Sequence, residues 1–324
     1  MRPGKISESV LKRSVLKQIK TKREEIAVGA GVGTDCSFFV PKENEGCVLT
    51  TCAISIEPLE ELGLQIRAAV NNVAAFAGEP VGILSSLILP DKILESKLQS
   101  YTGEIEQLCK ELNLQNAGGN TLITEGVKVP ILNLTVFGKK ENKVHEKFYR
   151  YEEGDEIILT KWAGLAGTSL LARREENKLK ERLPAYIIEA AKSWETQVSV
   201  LEESRIAIKH KIAGMHDVSR GGIFAALWEL VEEREVGFNV DLRKIPMRQE
   251  TIEICEILEK NPYELYGAGA LLMVTKNSSL LLSELEKEKI QAAVIGRITG
   301  DRAKVILNGE EQRFLERPKA EALS

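Results

Sequence analysis

The chain has 324 residues, 43% of them apolar and 28% charged, with 48 acids against 44 bases for a net charge of −4. One hydrophobic core stops growing at roughly 250–300 residues, so two domains are expected. The composition excludes a mainly disordered chain, and the lack of a sustained basic stripe argues against a nucleic-acid surface.

The first 25 residues are charged and carry no apolar core, so no signal peptide is expected. No apolar run approaches the ~20 residues of a membrane span. Cys36, Cys47, Cys52, Cys109 and Cys255 form no CxxC pair, and His145, His210 and His216 have no common zinc spacing. These features lead us to expect a reducing, cytoplasmic setting with neither membrane nor nucleic acid as partner.

In chain order, residues 5–20 have apolar residues at helical spacing (Ile6, Val10, Leu11, Val15, Leu16, Ile19). Lys12, Arg13, Lys17, Lys20, Lys22 and Arg23 read as a solvated face. A glycine-rich loop spans residues 29–35, and Cys36 to Val40 can start a strand. Residues 47–54 read as a buried strand, with Cys52 in it as a small apolar side chain. Residues 63–77 read as a closely packed helix ended by Gly78-Glu79-Pro80, and residues 81–89 as a strand ended by Pro90. A long helix is expected over 91–113, a glycine turn entering a strand at 118–123, and a strand from Pro130 to Gly138.

The polar stretch 139–155 suggests a domain boundary, which divides the chain into 1–148 and 149–324. The second half reads as a strand over 156–160, a loop at 164–167, and helical stretches over 168–177 and 184–209. A loop at 215–222 then opens a helix over 222–234, and a further helix covers 248–259. A strand over 267–275 follows a glycine turn, and a short helix and strand hairpins close the chain. Strands pairing with helices in both halves indicate an α/β (α+β) class. Trp162, Trp194 and Trp228 read as core or interface residues.

Three segments can carry chemistry. In residues 29–35 the glycines Gly31 and Gly33 let backbone N–H groups approach an anion, and Asp35 can ligate a metal; an ordinary turn is the plain alternative. The segment is neither a Walker loop nor a GxGxxG entering a helix. The run Asp217-Val218-Ser219-Arg220-Gly221-Gly222 opens a helix, whose N-terminus suits an anion. There Ser219 can cap and Arg220 can pair bidentately, and a plain N-cap is the alternative. Gly118-Gly119-Asn120-Thr121 is by itself an ordinary turn.

Taken together these segments resemble the AIR synthase-related (PurM/HypE-like) superfamily, which includes PurM, the hydrogenase-maturation protein HypE, thiamine-monophosphate kinase and selenophosphate synthetase. Gly33-Thr34-Asp35-Cys36-Ser37 resembles its glycine-acid-acid-alanine-alanine segment, and Thr50-Thr51-Cys52 its Thr-Thr-Asp. Asn71-Asn72 with Gly78-Glu79-Pro80 resembles its Asn-Asp helix. Gly118-Gly119-Asn120-Thr121 matches its Gly-Gly-Asp-Thr turn, and Asp217 to Gly222 its Asp-x-Ser-Arg-Gly-Gly loop. Order and spacing cover nearly the whole chain.

The resemblance implies a PurM-like two-domain fold: an N-terminal, ATP-binding domain forming a β-barrel as a homodimer, and a C-terminal α/β sandwich, with nucleotide in the cleft between. It implies ATP and Mg²⁺, used to activate an amide or carbamoyl-type oxygen, and a hydrogenase-maturation partner. Asp35, Asn72, Asn120 and the glycines Gly31, Gly33, Gly118 and Gly119 would hold phosphate, with Asp35 on the metal. Ser219, Gly221 and Gly222 would add nucleotide contacts, and Asp217 and Arg220 would orient the reacting groups.

The pattern is broken at its acids. Thr34, Cys52, Asn72 and Asn120 stand where the superfamily has carboxylates, and thiol sulfur is a soft ligand ill suited to Mg²⁺. The last cysteine is Cys255, so the chain lacks the C-terminal cysteine on which HypE carries its carbamoyl group. Two readings remain: an ATP-dependent enzyme, or a non-catalytic relative that binds nucleotide or a partner protein.

Overall fold

The computed structural model describes residues 1–145, 150–210 and 212–318. Contacts divide these into two compact units, Met1–Val73 with Gly78–Asn142, and Ala74–Ala77 with Lys143–Ser324. The expected boundary at 148/149 lies outside the described residues.

Unit 1 opens with β1 (Gly4–Lys5) and α1 (Glu8–Val10), which continues without a break as a π-helical turn, Leu11–Leu16. It then runs β2 (Ile26–Val28), β3 (Phe38–Phe39), β4 (Glu45–Ser55), α2 (Leu62–Ala75), β5 (Glu79–Pro90), α3 (Glu95–Glu111), β6 (Gln115–Thr124) and β7 (Ile131–Glu141). The sheet order is β1-β6-β5-β7-β4, and β2 and β3 form a separate ribbon. Only β5 and β6 run parallel, with α3 as their crossover. The short helix α4 (Asn142–His145) follows.

One face of this sheet is core. Ile83, Leu87, Leu89, Ile123, Leu132, Leu134 and Val136 are at most 2% exposed. Buried residues of α2 (Ile66, Val70, Val73) and α3 (Leu98, Tyr101, Ile105, Leu108) supply the apolar cover. The other face is largely open. Register lines up Thr51, Thr135, Leu84 and Gly118 in one row, and Ala53, Asn133, Ser86 and Asn120 in the next. Leu49 is 64% exposed. The strand expected to be buried over 47–54 is therefore buried only at Ile54, because alternate side chains point to the open face. One end of that face is covered by the β2–β3 ribbon, where the Phe39 and Phe137 rings meet at a tilt of 59°, 5.3 Å between centroids.

Unit 2 contains β8 (Glu156–Thr160), α5 (Leu165–Arg174), α6 (Glu176–Lys180), α7 (Ala185–Ser193), α8 (Leu201–Lys209), β9 (Gly214–Asp217) and α9 (Gly222–Glu232). It continues with β10 (Gly237–Asp241), α10 (Gln249–Leu258), β11 (Leu271–Thr275), α11 (Ser278–Lys287), β12 (Ala292–Thr299), β13 (Lys304–Asn308) and β14 (Glu311–Phe314). The sheet order is β14-β13-β10-β12-β8-β11-β9. Ile157, Leu159, Leu272 and Val274 pack with α9 on one face, and Ile158, Met215, Leu271 and Met273 pack with α8 and α11 on the other. α5, α6, α7 and α10 form a further helical cluster.

The loop expected at 164–167 is largely helix: α5 begins at Leu165. A side chain at Gly167 would meet Leu265 at 2.5 Å, so the glycine there serves close packing inside the helix. Trp162 and Trp194 are core, meeting edge to face at 5.1 Å. The architecture is the mixed α/β, two-domain arrangement read from the sequence. Among the described residues no helix is long and apolar enough to cross a membrane.

Candidate ligand-binding site

The site in unit 1 is built around β6. The β5–β6 register shifts between Ile83/Asn116 and Leu84/Gly118, which leaves Ala117 as a bulge. Such bulges re-aim the side chains around them. Beyond it Gly119 has φ +149°, and a Cβ there would lie 1.8 Å from the Ser85 carbonyl oxygen, so only glycine fits. The sequence reading made 118–121 a turn entering a strand; the structure places it inside β6, with the glycines serving close approach of β5 rather than reversal.

The glycine loop runs past this bulge. Its turn closes through Thr34 N–H to the Gly31 carbonyl at 3.4 Å. Ser37 Oγ pins it to β6 by donating to the Ala117 carbonyl at 2.7 Å. The N-terminal helix supplies a third side. It is held to α3 by Thr102 Oγ1, which donates to the Ser14 carbonyl at 2.6 Å, and by Arg13 Nη2, which donates to Glu95 at 2.6 Å.

These three elements, with residues of β1 and β5, line an open cavity of about 590 Å³, within the ~300–1,000 Å³ usual for small-molecule sites. Gly31, Gly33, Asp35, Gly118, Gly119 and Asn120 all line it. So do three polar residues that the sequence reading did not single out, Ser37, Ser85 and Asn116, together with the aliphatic Leu11, Val15, Leu16 and Ile19. The available signal was a serine doublet inside the apolar run of β5 and an asparagine just before the paired glycines. Asn72 is exposed on α2 and is not part of the lining.

Among the described residues Asp35 is the one carboxylate in the lining, amid amides and hydroxyls. Among the described residues no three His, Cys, Asp or Glu gather as a metal group. Cys52 is half-buried, and burial pushes its thiol pKa up, which keeps it protonated. This donor set does not build a protein-held Mg²⁺ site, which calls for hard oxygen ligands in octahedral array.

The second segment lies in unit 2. Asp217, 6% exposed, ends β9. Gly222 and Gly267 N–H groups both donate to the Ser219 carbonyl at 3.2 Å, which straps the loop to residues 263–270. Gly222 has φ +66°, and a Cβ there would lie 2.4 Å from the Tyr263 carbonyl oxygen. Ser219 does not cap α9 as expected. Two successive left-handed glycines put Gly221 at the N-cap, and no side chain caps it. Arg220 is exposed, with its guanidinium 6.0 Å from the Tyr266 ring centroid. The five residues Asp217, Ser219, Arg220, Gly221 and Gly222 thus share one loop, and the six cavity residues share another site in unit 1.

Both halves match known sequence families. The profile of the AIR synthase related protein, N-terminal domain, matches residues 32–139, and that of its C-terminal domain matches residues 152–308. The chain belongs to the AIR synthase related protein family. It is 26% identical over 316 residues to a Methanocaldococcus jannaschii protein named for hydrogenase expression and formation, covering 94% of this chain and 91% of that one. Its fold is similar to that of E. coli HypE, with a TM-score of 0.78 at 16% identity, covering 98% and 99% of the two chains. It is also similar to HypE crystallised in complex with ATP, with a TM-score of 0.72 at 17% identity over 97% and 95%. The HypE–HypF complex provides a further match, with a TM-score of 0.68 at 17% identity over 84% and 90%.

Proposed function

We propose that this protein is a HypE-like nucleotide-binding factor of hydrogenase maturation that holds ATP in the unit 1 cavity without a protein-built Mg²⁺ site, and works by binding rather than turnover. The observation that carries the reading is the cavity itself. It gathers both glycine segments of unit 1, yet offers Asp35 as its one carboxylate among the described residues. Phosphoryl transfer depends on positioned positive charge to offset the phosphates, and magnesium normally supplies it through acidic ligands. One of the similar HypE structures holds ATP and another is a complex with HypF, which supports nucleotide and a maturation partner as ligands here. The open face of the unit 1 sheet supports a homodimer, and a cytoplasmic setting fits these partners.

A catalytic reading draws on one feature. The Asp217 to Gly222 loop is complete in sequence and rigidly strapped, so Asp217 and Arg220 are available to orient an amide or carbamoyl group for activation.

Calorimetric titration with ATP, with and without Mg²⁺, decides between them. The binding reading expects ATP affinity that changes little with Mg²⁺ and no phosphate release. In the double variant Thr34→Asp, Asn120→Asp, which places carboxylates at two positions lining the cavity beside Asp35, Mg²⁺-dependent affinity should rise by about tenfold or more, the scale of a restored charge-assisted contact. Tight binding by the native chain only with Mg²⁺, followed by hydrolysis, would make it an enzyme. No heat with or without Mg²⁺ would remove nucleotide from the function.

A further inference from the structure

We propose that Lys5 does the work of a metal ion in the unit 1 cavity: its ammonium contacts the phosphates of a bound nucleotide directly, with the Asn120 amide beside it. This rests on the nucleotide reading above and names the residue through which ATP binds without Mg²⁺.

Topology brings the two residues together. Lys5 ends β1, and its antiparallel partner on β6 is Leu122. Opposite residues share a face of the sheet, and the diagonal neighbour two positions along lies about 7–8 Å away, within reach of a long side chain. Asn120 is such a neighbour of Lys5. Leu122 is 38% exposed, so the face they share is the open one. The glycine loop comes down on that same face. A Cβ at Gly118, the next residue of the row, would lie 2.9 Å from Ser37 Oγ and 3.5 Å from the Leu84 side chain. Lys5, Asn120 and the loop therefore meet over one side of β6, and all three line the cavity.

Charge is the second argument. Among the described residues Lys5 is the one cation in the lining, and neither it nor Asp35 has an ion-pair partner. The basic residues of the N-terminal helix are already engaged, Lys12 by Glu8 and Arg13 by Glu95. A lysine ammonium is a compact charge with three donors, and it binds phosphate as a point charge.

The third argument is the residue type at 120. A carboxylate there would stand within reach of the Lys5 ammonium and neutralise it, and a phosphate could then enter only with a metal ion to bridge it. An amide leaves the ammonium its charge and adds an N–H donor of its own. Asp35, carried by the glycine loop, repels phosphate, so the anion is drawn to the β1 side of the cavity.

The test is calorimetric titration of the full chain with ATP and with inorganic tripolyphosphate, both without Mg²⁺. ATP is expected to bind and tripolyphosphate to compete with it, each more weakly as salt is raised. Lys5→Met should weaken ATP by about tenfold or more, the scale of one hydrogen bond to a charged group, and remove most of the salt dependence. Lys5→Arg keeps the charge and should stay within about threefold of wild type. Asn120→Asp should weaken ATP by about tenfold without Mg²⁺, and adding Mg²⁺ should recover the loss. Circular dichroism melting checks folding, which the exposed positions of both residues leave intact. Unchanged ATP affinity in Lys5→Met or in Asn120→Asp, or a Lys5→Arg as weak as Lys5→Met, overturns the assignment and leaves the nucleotide reading standing. Wild type that binds tripolyphosphate but not ATP, with binding lost in Lys5→Met, overturns the nucleotide reading and keeps Lys5 as an anion contact. Binding of neither overturns both.

Discussion

The two sheets solve opposite problems. The central strands β8 and β11 of unit 2 lie between two apolar layers, with Ile157 and Leu272 facing one and Ile158 and Leu271 the other, all fully buried. The five strands of unit 1 have one buried face and one that leaves Leu49, Leu84 and Leu122 between 36% and 64% exposed. Unit 2 can thus hold its sheet by its own packing. Unit 1 leaves a surface free for a partner, and its ligand cavity sits at the β6 side of that sheet.

The largest expected effect tests the sandwiched sheet. Leu272→Ala removes a side chain packed on every side, and should cost about 2–5 kcal/mol of unfolding free energy, since such a core collapses poorly around the void. Urea denaturation followed by tryptophan fluorescence measures it, because Trp162, Trp194 and Trp228 all lie in unit 2. A cost under ~1 kcal/mol would mean that this sheet is not the self-sufficient one.

A middle-sized effect concerns the covered end of the unit 1 sheet. Arg23 binds Glu25 at 2.8 Å and Glu79 at 2.9 Å, and Lys139 binds Glu25 at 2.7 Å, joining the β2–β3 ribbon to β5 and β7. The bond from Arg23, with help from Lys139, holds the Glu25 carboxyl at about 2, below its ordinary 4.5, despite burial that pushes the other way. A carboxylate with a depressed folded pKa stabilises the fold above its unfolded pKa and loses that contribution as pH falls through the folded value. Glu25→Gln should therefore cost about 1–3 kcal/mol at pH 7. The gap between wild type and variant should close between pH 4.5 and about 2. A gap that stays constant across that range would assign the ribbon's attachment to Phe39 and Phe137 rather than to charge.

Much of this contrast was legible in the residues. Uninterrupted apolar runs such as Ile157 to Leu159 and Leu271 to Val274 announce strands buried on both faces. The helix face Ile66, Ala69, Val70, Val73, Ala74, Ala77 was likewise visible, and each of those residues is buried. The open face was harder to see. Residues 47–54 contain enough apolar side chains to pass for a core strand, and alternation between Leu49 and Ile54 gains meaning only when the neighbouring strands are known. The cavity was half legible. Its glycines drew notice, but their cause at Gly119 is a carbonyl of β5 far away in sequence, and no local pattern announces that. Asn116 and Ser85 were missed because a lone amide and a lone hydroxyl become a pair only through the β5–β6 register.

The smallest effect on folding should come from Leu49→Glu, and it bears most directly on the contrast. Leu49 is 64% exposed, so its replacement removes almost no buried area within the unit. Stability of the single chain should stay within about 0.5 kcal/mol, as for other surface changes. A carboxylate on an apolar patch is costly only when a second surface closes over it, and two copies meeting through this face would bury it twice. If the open sheet is a homodimer surface, wild type should sediment as a dimer and Leu49→Glu as a monomer with an unchanged melting profile for unit 2. Dimers of equal strength in both proteins would place the self-association elsewhere. The same substitution on unit 2, at the buried Leu272, offers no such separation, because there the fold would fail before any assembly was measured.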